Sequence, residues 1–236
     1  MMYSNNVSIW KNIVSQVKWK LGAHNSAVLT IVIIQLIIAA IANHGSMRGS
    51  GLNNMQVTEY IYSLDSVMMV SVVAVAATCI ALSSKRTQSD NLAIPTTRLT
   101  ASISTILFIW IITFITTVTA IVSQNLVQVV KILVLDLDII GRTLVPSVTV
   151  FFVFYFILLC AGAVGYFIGV MFSLSKIVTI LSGVLFIVYL AKVEQNIFIW
   201  LLDESYGMFM LKILLIAIVF YALALFVNNR QEVRRG

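Results

Sequence analysis

Six stretches of this chain contain no Asp, Glu, Lys or Arg: 21–47, 66–84, 99–130, 143–175, 177–191 and 213–229. This pattern constrains the fold more than any other feature. Crossing about 30 Å of hydrocarbon at about 1.5 Å per helical residue takes roughly 20 residues. A charge placed at mid-span costs about 2.5–3.5 kcal/mol on insertion scales. Composition agrees: 60% of the 236 residues are hydrophobic and 10% are charged, against about one half and one quarter in a soluble domain. Such a chain cannot cover its apolar surface with polar groups, so lipid is the solvent it requires.

The runs predict an all-α polytopic membrane protein, a single domain over 1–236, with spans at 27–43, 65–83, 101–123, 148–172, 176–192 and 208–228. The fifth is short. Its 15 uncharged residues reach only about 22 Å, unless Lys176 and Lys192 snorkel to extend it. The stretch EQNIFIWLLDESYG, 194–207, has an apolar core of six residues. It suits a short external helical element before the last span, with Trp200 at headgroup level. Segment 125–142 has helical apolar spacing but carries Lys131, Asp136 and Asp138, and reads as a separate helix outside or along the bilayer.

Lys and Arg set the orientation. With both termini inside, ten of them lie on the cytoplasmic side and five outside. The expected location is therefore a cytoplasmic membrane, multi-pass, with both termini cytoplasmic. Ala40-Ile41-Ala42 resembles a signal-peptide cleavage site, but the 26 residues before that apolar run are long for the charged leader of a signal peptide.

Residues 1–26 hold an amphipathic helix. Val7, Trp10, Val14, Val17 and Leu21 form one stripe, and Ser8, Lys11, Asn12, Ser15 and Lys18 occupy another side. Such a helix lies in the interface. Trp10 and Trp19 suit headgroup depth, and each of Lys11 and Lys18 near an anionic leaflet contributes about 1 kcal/mol. A plain juxtamembrane anchor and a mechanical role are both compatible with it.

Between the second and third spans lies KRTQSDNLAIPTTRLTA, residues 85–101. Ser89 can cap a short helix starting at Asp90. Pro95 limits that helix to about one turn and turns Ile94 away from helical geometry. The product is a rigid knob bearing Leu92 and Ile94; the plainer reading is a solvated loop. An interfacial helix, six spans, a short cytoplasmic helix between spans two and three and an external element before the last span together resemble ABC-2 type permeases. The motif Leu92-Ala93-Ile94-Pro95-Thr96-Thr97-Arg98 is similar to their coupling-helix pattern. That family often has an acidic residue and a Gly-Thr pair upstream, where this chain has Lys85-Arg86-Thr87-Gln88-Ser89-Asp90. The small size and style resemble Gram-positive exporters of phenol-soluble modulins, which are amphipathic cytolytic peptides.

The resemblance implies a permease subunit that moves amphipathic peptides outward. A separate ATPase would dock on a coupling-helix loop at 84–100, against Asp90, Asn91, Leu92, Ile94, Pro95 and Arg98. It also implies a second permease copy or paralogue, with ATP and Mg held by the partner. The residues agree in one respect: there is no GxxxxGK[ST] loop to cradle phosphates. No cofactor, metal or nucleic acid is expected on this chain, and no enzymatic activity of its own.

No acid or base lies deep in a span, which disfavours an ion-coupled carrier. His24 and His44 sit at span ends. Ser182-Gly183 lacks a general base, and Asp136 and Asp138 have no His or Cys near them. Cys79 and Cys160 read as small buried hydrophobes. Gln35 and the span-three hydroxyls Thr113, Thr116 and Thr117 could line a translocation path; interhelical bonding, at about 0.6 kcal/mol each, is the duller reading. Gly162, Gly165 and Gly169 permit close helix contact within one chain or between two. The cluster FFVFYF, 151–156, reads as lipid-facing or core bulk. A non-transport immunity or regulatory membrane subunit is the second reading, ahead of a channel.

Overall fold

The computed structural model describes residues 9–42, 46–52, 55–61, 65–83, 98–135, 148–175, 179–180, 183 and 205–233. Six helices run through them: α1 (Ile9–Ala23), α2 (Asn25–Ala42), α3 (Asp65–Leu82), α4 (Arg98–Leu135), α5 (Val148–Leu174) and α6 (Tyr206–Val233). Four of these, α3 to α6, are long and apolar enough to cross a membrane, and the bent pair α1–α2 makes up to five. The chain is thus a multi-pass membrane protein by the length and composition of its helices.

The elements follow the charge-free runs because in lipid each backbone group must be satisfied within its own segment, which a helix does. α2, α3, α5 and α6 match the expected spans to within a few residues. The expected span at 176–192 and the element at 194–207 lie almost wholly outside the described residues.

Two features differ from expectation. The segment 125–135 is no separate surface helix but the continuation of α4, a single helix of 38 residues. No Gly or Pro interrupts Arg98 to Leu135, and Lys131 alone cannot break a helix whose hydrogen bonds continue past it. At about 1.5 Å per residue α4 is about 57 Å long, nearly twice the hydrocarbon thickness. The second is a β-hairpin between α2 and α3, an exception to the all-α expectation. β1 (Ser46–Leu52) pairs antiparallel with β2 (Met55–Ile61), from Ser46↔Ile61 to Leu52↔Met55. That register leaves Asn53 and Asn54 between the two strands in the sequence. Gly49 and Gly51 dilute the strand pattern of β1, so the sequence signal was faint.

Helix direction follows from contacts. Lys20 meets Ala101 while Gln35 meets Thr116, so α1 and α2 run alongside α4 in the same sense. α3, α5 and α6 run the other way, and their first residues, Asp65, Thr149 and Tyr206, share one cleft of about 320 Å³. The bundle therefore has a hairpin end, where β1–β2 lies, and a loop end, where the segment 84–97 leaves α3 and enters α4. α5 finishes at the loop end and α6 starts at the hairpin end.

α3 and α5 are held closest. A methyl on Gly165 would sit 2.6 Å from the Ala76 carbonyl oxygen, and one on Gly169 would sit 2.6 Å from Ser83 Cβ. The glycine row is thus used within this chain. Phe108, Ile109, Phe154, Leu158, Val75 and Ala217 are among the core residues where these helices meet. The aromatic run divides. Phe154 is in the core and Phe152 faces outward. Phe151 and Tyr155 both meet Phe114 of α4 edge-on, at 5.9 and 6.1 Å between centroids.

Candidate functional site at the base of α4

The first two turns of α4 collect contacts from several parts of the chain. Burial on α1 falls on Ile13, Gln16, Val17 and Lys20, one face of a helix at spacings of three and four. Against α4, the Lys20 ammonium donates to Ala101 O at 3.1 Å, Ser104 Oγ at 2.8 Å and Thr105 Oγ1 at 2.7 Å. Ser104 Oγ lies 2.8 Å from Gln16 Oε1, to which it can donate, and 2.7 Å from Ala101 O. Thr105 Oγ1 donates back to Ala101 O at 2.9 Å. On another side, Asn228 Nδ2 near the end of α6 donates to Ser102 Oγ at 2.6 Å, and the Tyr166 phenol of α5 lies beside Ser102. From α3, Ser83 Oγ donates to Tyr166 O at 3.3 Å.

Lys20 is the unusual member, being only 2% exposed. An ammonium has three donors, and here all three face neutral oxygens. Among the described residues no carboxylate pairs with it. Burial pushes its pKa down from 10.5 to about 8, because a low-dielectric site disfavours the charged form. Lys212, near the start of α6, is also buried; it lies toward the other end of the bundle.

The remaining surface of α1 is exposed and mixed in character. Lys11, Ser15 and Lys18 are exposed on the arc opposite Lys20. Trp10 is 62% exposed and Trp19 39%. The apolar stripe expected from sequence is divided, with Val17 buried against the protein and Trp10 facing outward. α1 then bends by 54° into α2. The bend falls at His24, whose N–H still donates to Lys20 O and whose ring lies 5.7 Å from Phe108.

A second polar group ties the spans at mid-depth. Gln35 Nε2 donates to Ser71 Oγ at 2.9 Å and to Thr116 O at 3.1 Å, while Thr119 Oγ1 donates to Gln35 Oε1 at 2.7 Å. Thr113 donates to Ile109 O and Thr117 to Thr113 O. Gln35, Thr113, Thr116 and Thr117 are all buried inside the chain. The joint between α2, α3 and α4 is thus made by Gln35, Ser71, Thr119 and the Thr116 carbonyl, while the Thr113 and Thr117 hydroxyls bond back to carbonyls of α4 itself.

Of the residues singled out for docking, Asp90, Asn91, Leu92, Ile94 and Pro95 lie outside the described residues, as do Val7, Ser8, His44, Asp136 and Asp138. The backbone of Arg98 opens α4. Cys79 and Cys160 are free thiols, and the described residues contain no cluster of His, Cys, Asp and Glu able to hold a metal.

Sequence reading passed over Lys20 and Gln16. The signal was present: Lys20 follows Lys18 by two residues, which turns it to roughly the opposite face of the helix. No family model, curated protein or solved structure matches the chain.

Proposed function

We propose that this chain is the permease subunit of an ABC exporter, moving amphipathic peptides or similar cargo outward across a cytoplasmic membrane. A separate ATPase would drive it by acting on segment 84–97. The observation that best supports this reading is the convergence at the base of α4. A thrust delivered just before Arg98 would meet a helix whose first turns are hydrogen-bonded to α1 and α6 and flanked by α5. Such a helix can pass displacement to most of the bundle. The first residues of α1 and the last of α6 share the loop end, which this reading takes as cytoplasmic. A second copy or paralogue would complete the path, and ATP and Mg would sit in the partner.

The burial of the span-three hydroxyls favours a second reading, a non-transport membrane subunit such as an immunity or regulatory protein. Hydroxyls bonded inside one chain leave less polar lining for cargo. The deciding experiment is co-purification with candidate ATPases, followed by ATP hydrolysis and peptide efflux in vesicles. The first reading expects a complex whose hydrolysis drives efflux, and Leu92→Asp or Ile94→Asp should abolish association while leaving membrane insertion intact. A stable complex without cargo-linked efflux would select the second reading.

A further inference from the structure

We infer that Lys20 is a register latch: it locks the interfacial helix α1 to the first two turns of α4 in one rotational and axial setting, so that the two helices move as one piece. Its use in transmitting a partner's thrust rests on the reading of 84–97 given above; the latch itself does not.

The argument starts from what a plain anchor needs. Ile13 and Val17 already bury apolar surface on this face. An apolar residue at position 20 would continue it, without the penalty of a buried charge that has no anion among the described residues. Apolar contact is non-directional, however, and tolerates sliding and rotation. The three ammonium bonds, at 2.7, 2.8 and 3.1 Å, are directional and weaken steeply once misaligned. They converge from a helical carbonyl and two hydroxyls within five residues, Ala101 to Thr105, and Gln16 one turn earlier engages the same Ser104 hydroxyl. Only one placement of α1 serves all of them together. Fixing register is the best-attested use of a buried polar group.

The latch also explains a feature of the bend. α1 and α2 are separate helices meeting at 54°, yet both run along α4, with Lys20 holding one near its start and Gln35 holding the other about half-way along. A movement of α4 would thus reach both sides of the bend.

The test is pulsed electron resonance on the full-length protein in lipid nanodiscs. Ketone-bearing residues carrying spin labels would replace exposed Ser15 on α1 and Val122 on α4, leaving Cys79 and Cys160 untouched. The native background should give one narrow distance. Lys20→Met, which keeps the volume and removes the charge, should at least about double its width while the unfolding temperature holds or rises. An unchanged narrow distance would overturn the latch. If Lys20→Met fails to fold, Ser104→Ala with Thr105→Val removes two of the acceptors and must give the same broadening; a narrow distance there overturns it equally. No ATPase or cargo is present in this measurement. A latch that broadens in chain for which no partner ATPase is found leaves the inference standing and sinks the transport reading, and the reverse combination does the opposite.

Discussion

Lys20 titrates in a range where its effect on stability has a definite sign. Its folded-state pKa is about 8 against an ordinary 10.5, so the folded chain holds this proton less tightly than the unfolded one. Between these values the unfolded state binds more protons, and stability rises with pH. Below about pH 8 the whole penalty is present and the contribution is flat. Thermal unfolding in detergent should therefore show a rise from pH 8 to 10 that Lys20→Met lacks; parallel profiles for the two proteins would contradict the burial of the ammonium. Deeper in the bundle, two polar residues should respond oppositely. Gln35 makes three interhelical bonds, so Gln35→Ala should lose about 2 kcal/mol, at about 0.6 kcal/mol for each bond plus a small cavity. The Tyr221 hydroxyl is buried beside the Trp110 side chain but makes no well-aligned hydrogen bond among the described residues. Tyr221→Phe removes an unsatisfied group and should leave the unfolding temperature equal or higher. A loss there as large as that of Gln35→Ala would mean the hydroxyl has a partner.

Between elements, the α3–α5 seam is the least forgiving contact. Its glycines approach backbone, and Gly165 faces the Ala76 carbonyl with no flexible side chain to move aside. Gly165→Val should cost several kcal/mol, of the order of overpacking or worse, and appear as lost expression or a collapsed unfolding temperature. Gly22 meets nothing within 4 Å, so Gly22→Ala should be tolerated in the same assay. The sequence marked this glycine row but left open whether it joined two helices of one chain or two chains. Sequence spacing shows that a face is narrow; only the fold shows what arrives against it. α4 teaches a related point. Its charge at Lys131 suggested a boundary, but helices end where backbone geometry fails, and nothing between Arg98 and Leu135 makes it fail. Leu133 and Val134, 74% and 75% exposed, are carried well past the length a bilayer needs.

For the whole molecule, the arrangement of ends is the main consequence. α1, the start of α4 and the end of α6 share one end, and the hairpin is at the other. If the loop end is cytoplasmic, a membrane-impermeant maleimide on intact cells should label Asn53→Cys and spare Arg234→Cys, with the pattern inverting on inside-out vesicles. Labelling of Arg234→Cys from outside would reverse the proposed orientation and remove segment 84–97 from reach of any cytoplasmic ATPase. The excess of Lys and Arg assigned to the inner side predicts the first outcome, because positive loops are retained where they are synthesised.

Charge-free length was enough, by itself, to specify that this chain crosses a membrane and roughly where, since a span is fixed by bilayer thickness and the cost of charge, both of which act residue by residue. The polar stretch between α3 and α4, the amphipathic start and the absence of a phosphate-cradling motif were legible for the same local reason. Partnership was decided only in three dimensions. Gln35 gained its partners only when α2, α3 and α4 came together, and Lys20 looked like one more interfacial cation until α1 turned it onto α4. A side chain's type states which bonds it can make; which groups stand within reach depends on helices brought together from 80 or more residues away.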